Sequence, residues 1–245
     1  MIRTLLIFIF LVIFLIVSLP MQLVLFIMHK FDDPGARKAS LAIVSWAFNV
    51  ILFIGGIRRV VIGEENVPKD EAVLYVSNHR SIFDIVVTYP RVPGRTGYIA
   101  KQESMKLPVI SFWMVYLDCL FLDRSDIRKG LEMVLTAIEK VKSGISIFIY
   151  PEGTRNKTDK PLGEFHKGSF KIAQKANCPI VPVVVNHTRD CFENHMPWVK
   201  KTTVVIEYCE PIRIKDLDKE DQKNIDQYVR KIIEETYVRN EHLKI

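Results

Sequence analysis

The chain has 245 residues, of which 49% are hydrophobic and 25% are charged, so its composition excludes an intrinsically disordered protein. Its net charge is +6, but the basic residues are scattered and form no nucleic-acid-binding motif, so we expect no nucleic-acid partner. The four cysteines contain no CxxC pair, which gives no indication of a zinc site or a redox motif.

The first 57 residues contain two apolar segments separated by a polar loop. Residues 1–28 are almost uninterrupted hydrocarbon, and a bilayer core needs only about 20 apolar residues. The segment is too long for a signal peptide, and no cleavage site follows it. The second segment is Ala39–Ile57. We predict a retained two-helix membrane anchor over residues 1–57, which either spans the bilayer or dips into one leaflet. Similar numbers of basic residues in the loop and at the flanks favour the second arrangement.

Short apolar runs alternate with helical stretches over residues 58–245. The predicted strands are Arg59–Ile62, Ala72–Ser77, Tyr98–Lys101, Cys119–Asp123, Ile145–Tyr150, Ile180–Asn186 and Thr203–Tyr208. The predicted helices are Ile82–Tyr89, Pro108–Tyr116, Ile127–Ser143, Lys167–Lys175 and Lys219–Asn240. Continuous apolar strands between helices are typical of a sheet that is buried on both faces. We therefore predict an α/β domain over residues 58–245, with a mixed, largely parallel sheet flanked by helices.

A histidine and an aspartate follow the second predicted strand, five residues apart. On one helix His79 and Asp84 would lie about 140° apart, so they can meet only if a turn separates them. A histidine held by a carboxylate keeps one tautomer and can act as a general base. The other interpretation is an ordinary capped helix start, with Ser81 as the N-cap and Asp84 three residues later.

Another buried strand ends in the run Pro151-Glu152-Gly153-Thr154-Arg155. Arg155 can bind a phosphate through two parallel hydrogen bonds, and Gly153 allows a ligand to approach the backbone. Glu152 can accept a hydrogen bond from a hydroxyl or hold an arginine. Taken alone, the run also fits an exposed β-turn, so its meaning depends on the other strand ends.

Further polar groups stand at or near other predicted strands. Asp123 and Arg124 follow the fourth strand, a basic turn at His166 opens a helix, and Pro182 interrupts an apolar strand. Sites in such sheets gather at the carboxyl ends of the strands. Polar groups that converge there fit a single site better than they fit independent turns.

These runs resemble the four ordered blocks of the glycerolipid acyltransferase family, in particular the 1-acylglycerol-3-phosphate acyltransferases. The matching residues are, in order, Asn78, His79 and Asp84; Phe121, Asp123 and Arg124; residues 151–155; and Pro182. The resemblance covers about residues 58–210. Two positions depart from the family pattern, because Asp118 stands where the second block often begins with glycine, and His166 stands where the basic turn often has lysine.

The resemblance implies a 1-acylglycerol-3-phosphate O-acyltransferase. Such an enzyme moves a fatty acyl chain from acyl-CoA or acyl-carrier protein to the sn-2 hydroxyl of lysophosphatidic acid, giving phosphatidic acid for phospholipid biosynthesis. His79 would be the catalytic base and Asp84 its partner. The substrate-binding residues would be Arg124, Glu152, Gly153, Thr154, Arg155 and Lys101. We expect membrane lipids as partners, no cofactor, and a catalytic domain on the cytoplasmic side of the cell membrane.

Other interpretations stay open at this point. The acceptor could be glycerol 3-phosphate or another lysophospholipid. The chain could also be a non-catalytic, membrane-anchored protein that binds anionic lipid, in which case His79 and Asp84 would be dispensable. A metal site is not expected, because the other histidines lack ligand spacing. In the stretch Lys101–Tyr116, Trp113 belongs either to the membrane interface or to the core.

Overall fold

The structure is a computed structural model, and it describes residues 1–31 and 34–243. Its α-helices are α1 (Ile2–Lys30), α2 (Pro34–Gly55), α3 (Phe83–Thr88), α4 (Pro108–Tyr116), α5 (Ile127–Lys142), α6 (Lys171–Ala176), α7 (Thr188–Cys191), α8 (Lys219–Lys223) and α9 (Ile225–Glu241). Its strands are β1 (Ile57–Ile62), β2 (Leu74–Ser77), β3 (Thr96–Lys101), β4 (Leu120–Leu122), β5 (Ser146–Ile149), β6 (Ile180–Asn186) and β7 (Thr202–Tyr208).

The predicted strands are all present, each with bounds close to those expected from its apolar run. The prediction of one helix over Lys219–Asn240 is wrong, because Asn224 leaves the helical conformation (φ −112°, ψ 36°) and separates α8 from α9. A 3₁₀ turn over Lys167–Phe170 also precedes α6. Helix α7, directly after β6, was not predicted.

The strands form one sheet in the order β1-β7-β6-β2-β5-β3-β4. Every neighbouring pair is parallel except β6 and β7, which are antiparallel. The sheet is therefore mixed and largely parallel, as predicted. The carboxyl ends of β2, β3, β4, β5 and β6 share one edge of the sheet. Because β7 runs the other way, its first residues lie at that same edge.

One face of the sheet is covered by α5, α6 and α9, which bury an apolar cluster against it. Asp126 is the N-cap of helix α5, and its carboxylate accepts from the backbone N–H groups of Arg128 and Lys129. Its buried side chains, Met133, Ala137, Ile138 and Val141, recur at the three- to four-residue spacing of one helix face. The last turns of α9 reach the edge with the strand ends, where the carbonyl of Tyr237 accepts from Asn186 and its hydroxyl accepts from Arg80.

The other face of the sheet carries the apolar hairpin α1–α2 together with α3 and α4. Helix α2 buries Ile51 and Leu52 in the same cluster as Phe148 of β5. Helix α1 contacts the rest of the chain along its length. The hydroxyl of Thr4 accepts from the N–H of Val199 (2.8 Å), the amide of Gln22 donates to the carbonyl of Val109 (2.9 Å), and His29 packs on Tyr116 (ring centroids 3.9 Å apart).

The outer surface of α1 is apolar and exposed, with Phe8, Ile16 and Leu23 each more than half accessible. By length and composition, both hairpin helices could cross a membrane. Trp113 belongs to the core, because it is 5% exposed and its ring packs on Phe14 of α1. The hairpin thus joins the sheet through a buried apolar seam and keeps an apolar surface outside.

Asp118, which departs from the family's glycine, lies in the turn between α4 and β4. Its φ of 60° is the left-handed conformation that favours glycine, and aspartate is among the residues that tolerate it. Its carboxylate accepts from Arg95 and Lys140, both at 2.7 Å. Burial alone would raise the pKa of Asp118, but the hydrogen bonds and the positive charges of Arg95 and Lys140 together outweigh it and hold the pKa below its ordinary value. The two contacts give the aspartate a structural role in this turn.

Candidate active site

His79 and Asp84 meet at the end of β2. A short loop turns between β2 and α3, so that His79 lies in the loop and Asp84 in the first turn of the helix. The Nδ1 atom of His79 lies 2.8 Å from Oδ2 of Asp84. This is the arrangement that the five-residue spacing requires for a contact.

The carboxylate of Asp84 is fully buried and has four donors. Besides His79, the backbone N–H groups of Arg80 (2.7 Å) and Ser81 (2.8 Å) donate to Oδ2, and the hydroxyl of Thr188 donates to Oδ1. Asp84 therefore closes the loop before α3 as well as contacting His79. The N-cap of α3 is Ile82 rather than Ser81, so the capping interpretation is wrong in its N-cap residue, although Asp84 does accept from the N–H of Ser81.

The imidazole of His79 is held with one nitrogen outward. Because a carboxylate can only accept, Nδ1 donates to Asp84, and in the neutral form of the ring the lone pair is then on Nε2. The ring stacks on Tyr150 of the loop after β5, with centroids 4.1 Å apart and an interplanar angle of 20°. Burial raises the pKa of Tyr150, and the nearby Asp84 carboxylate raises it further, so the phenol stays neutral. The side chain of His79 is 15% exposed, which leaves Nε2 within reach of a substrate.

Glu152 joins two loops at this edge of the sheet. Its Oε1 accepts from the backbone N–H of His79, and its Oε2 accepts from that of Gly163, both at 2.8 Å. Burial raises the pKa of Glu152, although these two hydrogen bonds partly offset it. A Cβ at Gly163 would lie 2.8 Å from Oε2, so any larger residue there would have to displace this carboxylate. In this structure both carboxylate oxygens contact the protein's own backbone.

Three cationic side chains predicted to bind substrate stand at the same edge. Arg155 donates from Nη1 to Oε1 of Glu193 at 3.1 Å. Arg124 lies over Gly153, since a Cβ at that glycine would be 3.9 Å from the guanidinium carbon. Lys101 pairs in register with the last residue of β4, two residues before Arg124. Within residues 1–31 and 34–243, neither Arg124 nor Lys101 has a carboxylate partner.

The turn after β5 brings its small residues into the same space. Gly153 has φ 70°, a conformation that glycine adopts without strain. Its missing side chain leaves room for the ring of His166, which would lie 3.2 Å from a Cβ. Thr154 is exposed beside it, and its hydroxyl has no hydrogen-bond partner among the described residues. The turn thus presents open backbone and a hydroxyl next to Arg124.

Sequence reasoning missed two residues that complete the site, Thr188 and Glu193. Both come from the segment after β6, which also ends at this edge. The strand-end rule applied to the other strands could have found them, but the segment lies outside the four family blocks. Asn78 exchanges two hydrogen bonds with the backbone of Val185, at 2.8 and 2.9 Å, and so ties β2 to β6. In the described part of the chain, no group of three or more His, Cys, Asp or Glu side chains could hold a metal ion.

The family model described as Acyltransferase matches residues 58–186, a little more than half of the chain. The chain belongs to the acyltransferase family. The predicted membership, the α/β fold and the assignment as an acyltransferase enzyme are therefore confirmed. The matched range contains the loop with His79 and Asp84, the turn with Arg155, and Pro182 of β6.

Similar proteins carry related names. A 1-acyl-sn-glycerol-3-phosphate acyltransferase of Borreliella burgdorferi is 27% identical over 193 residues, which is 79% of this chain and 77% of that protein. The chloroplastic enzyme BAT2 of Brassica napus, of the same name, is 39% identical over 127 residues, 51% of this chain and 36% of that protein. The human 1-acyl-sn-glycerol-3-phosphate acyltransferase beta is 28% identical over 179 residues, 73% and 64% of the two chains.

A solved structure supports the same relationship. The crystal structure of the 1-acyl-sn-glycerophosphate (LPA) acyltransferase PlsC from Thermotoga maritima superimposes with a TM-score of 0.80 at 26% identity. The match covers 99% of this chain and 96% of that chain, so it includes the hairpin as well as the sheet.

Proposed function

We propose that this acyltransferase moves a fatty acyl chain from an acyl thioester to the sn-2 hydroxyl of 1-acyl-glycerol-3-phosphate, giving phosphatidic acid. The observation that carries the proposal is the contact of 2.8 Å between His79 and Asp84 beside Arg124, Arg155 and Lys101. A base and a cationic surface at one sheet edge suit an acceptor that has both a hydroxyl and a phosphate. The names of the similar proteins support the same acceptor.

His79 acts as the general base in the proposed reaction. Its Nε2 takes the proton of the acceptor hydroxyl while the hydroxyl oxygen attacks the thioester carbonyl carbon. The tetrahedral intermediate then collapses, the carbon–sulfur bond breaks, and the leaving thiolate takes the proton back from the imidazolium. Asp84 stabilises that imidazolium and keeps the proton of the neutral ring on Nδ1. The stacked Tyr150 restricts the ring, so Nε2 keeps its direction.

Arg155, Arg124 and Lys101 bind the acceptor phosphate in this proposal. A guanidinium can form two parallel hydrogen bonds to a phosphate, whereas lysine acts as a point charge. Gly153 and Thr154 contribute an open backbone and a free hydroxyl near Arg124. We assign Glu152 to the shape of the site, since its carboxylate already accepts from two backbone N–H groups.

Residues 1–57 form the membrane anchor in this proposal, and residues 58–245 form the catalytic domain. Helix α1 contacts the rest of the chain near both of its ends and in its middle. A hairpin that spanned the whole bilayer would draw α4 and the charged Glu103 and Lys106 beside it toward hydrocarbon, which is unfavourable. We therefore place the hairpin in one leaflet, with the catalytic domain facing the cytoplasm, where acyl thioesters are made.

The test is an acceptor and donor comparison with full-length protein in detergent micelles. Lysophosphatidate, glycerol 3-phosphate and lysophosphatidylcholine are each offered with acyl-CoA and with acyl-carrier protein. We expect transfer to lysophosphatidate, and its loss in His79→Ala protein that remains folded. Faster transfer to glycerol 3-phosphate or lysophosphatidylcholine would replace the proposed acceptor. Binding of anionic lipid without transfer from either donor would support a non-catalytic lipid-binding protein instead.

A further inference from the structure

The segment after β6 contacts both halves of the site. It contains α7 and a 3₁₀ turn over Glu193–His195. Thr188, at the start of α7, donates to the carboxylate of Asp84, and Glu193 accepts from Arg155. Residues that lie more than 100 positions after the β2–α3 loop are thus in direct contact with that loop.

Two hydrogen bonds hold the carboxylate of Glu193, in addition to the one from Arg155. The hydroxyl of Ser81 donates to Oε2 at 2.6 Å, and the backbone N–H of Ile82 donates to Oε1 at 2.9 Å. The side chain of Glu193 is only 16% exposed, whereas that of Arg155 is 43% exposed. Glu193 is therefore the more strongly held partner of this ion pair, and Arg155 is the more exposed one.

The fixed carboxylate leaves most of the guanidinium available. Arg155 contacts Glu193 through Nη1 alone, and a guanidinium has five N–H donors in a rigid fork. The remaining donors can form a two-point contact with a phosphate. An exposed arginine without this partner would lose more side-chain freedom when it binds an anion, and that loss would weaken binding.

We propose that Glu193 is a positioning residue that holds Arg155 in the orientation that binds the acceptor phosphate. The proposal rests on the proposed function, because it requires an acceptor that carries a phosphate. Glu193 also contacts Ser81, whose own N–H donates to Asp84. The same carboxylate therefore sets where the phosphate lies relative to His79, although it touches neither the substrate nor the reacting atoms.

The test compares Glu193→Gln with Asp190→Asn as a matched control. Asp190 lies in the same segment and also loses one negative charge, but its partners are His187 and Asn194 rather than Arg155 or Ser81. In Glu193→Gln the amide oxygen can take the place of Oε1 and accept from both Ile82 and Arg155, so the variant removes the charge of the ion pair while the loop keeps its contact. We expect the KM for lysophosphatidate to rise about fivefold, the change in binding that loss of a partly exposed ion pair produces. The kcat and the KM for acyl-CoA should stay within about twofold of their original values. Asp190→Asn should change none of the three.

A double-mutant cycle separates this role from a general structural one. If Glu193 acts through Arg155, the effect of Glu193→Gln should disappear in an Arg155→Ala background. An unchanged or lower KM for lysophosphatidate in Glu193→Gln would overturn the proposal, and a lower KM would make Glu193 a competitor of the phosphate. If Glu193→Gln lowered both kcat and thermal stability, and did so equally in the Arg155→Ala background, the proposal would be overturned. Glu193 would then only stabilise the structure of the site. If Arg155→Ala itself left the acceptor KM unchanged, the failure would lie in the proposed phosphate site.

Discussion

Replacing Asp84 with asparagine tests the proposed catalytic roles of His79 and Asp84 with little disturbance of the fold. The amide oxygen can take the place of Oδ2, where it would accept from His79 and from the backbone N–H groups of Arg80 and Ser81. The amide nitrogen would then face Thr188. A hydroxyl can accept as well as donate, so Thr188 can turn and accept from the amide. The geometry of the loop and the tautomer of His79 should therefore survive, while the negative charge is lost.

The magnitude follows from the distance between the two groups. At the 2.8 Å separation of Nδ1 and Oδ2, a carboxylate and an imidazolium attract by about 6 kcal/mol at an effective dielectric constant of about 20. The amide dipole keeps part of this attraction, so we expect Asp84→Asn to lose about 3–4 kcal/mol of transition-state stabilisation. That loss lowers kcat by a factor on the order of 10²–10³. The KM values for both substrates should change little.

The assay measures kcat with acyl-CoA and lysophosphatidate in detergent micelles, with thermal unfolding recorded on the same protein. Asp226→Asn is a suitable control, because Asp226 is also a buried aspartate in the first turn of a helix but lies in α9. The control should keep its kcat. Folded Asp84→Asn protein with a kcat within about fivefold of the unmodified enzyme would refute the electrostatic role of Asp84.

Three further predictions concern stability. The pKa of Asp118 is lowered in the folded protein, so its stabilising contribution is complete above the ordinary pKa and is lost as the pH falls through the folded pKa. Asp118→Asn should therefore lower the free energy of unfolding at pH 7 but leave it unchanged at acidic pH. Denaturant titrations at the two pH values measure this difference. An equal decrease in the free energy of unfolding at both pH values would contradict the prediction. Leu52→Ala should cost about 2–5 kcal/mol of stability, because Leu52 is 3% exposed, whereas Phe53→Ala should cost little, because Phe53 is 86% exposed. Thermal unfolding in micelles checks this pair, and similar losses would argue against the buried seam. Gly163→Ala should displace the carboxylate of Glu152 and lower the free energy of unfolding by about 1–3 kcal/mol. The kcat should also fall, because the loop that contains His79 would move. An unchanged free energy of unfolding and an unchanged kcat would show that the loop tolerates the methyl group.

The local pattern of the sequence was sufficient for the strands and for the positions of the predicted site residues at the ends of those strands. Each strand is a short apolar run bounded by polar residues, and that alternation depends only on neighbours in the chain. The meeting of His79 and Asp84 was predictable in the same way, because one short loop sets their separation. The strand-end rule also placed Arg124 and Arg155 at one edge before any contact was known.

The tertiary structure alone decided which partners these groups have. Asp84 and Thr188 are 104 positions apart, and Ser81 and Glu193 are 112 apart, so no local spacing relates them. The strand order brings β6 beside β2, and only that neighbourhood lets the segment after β6 reach the loop before α3. The hairpin is a second case. Its apolar composition predicts burial in lipid or in protein equally well. Leu52 is buried and the next residue, Phe53, is exposed, because only one face of α2 packs against the sheet.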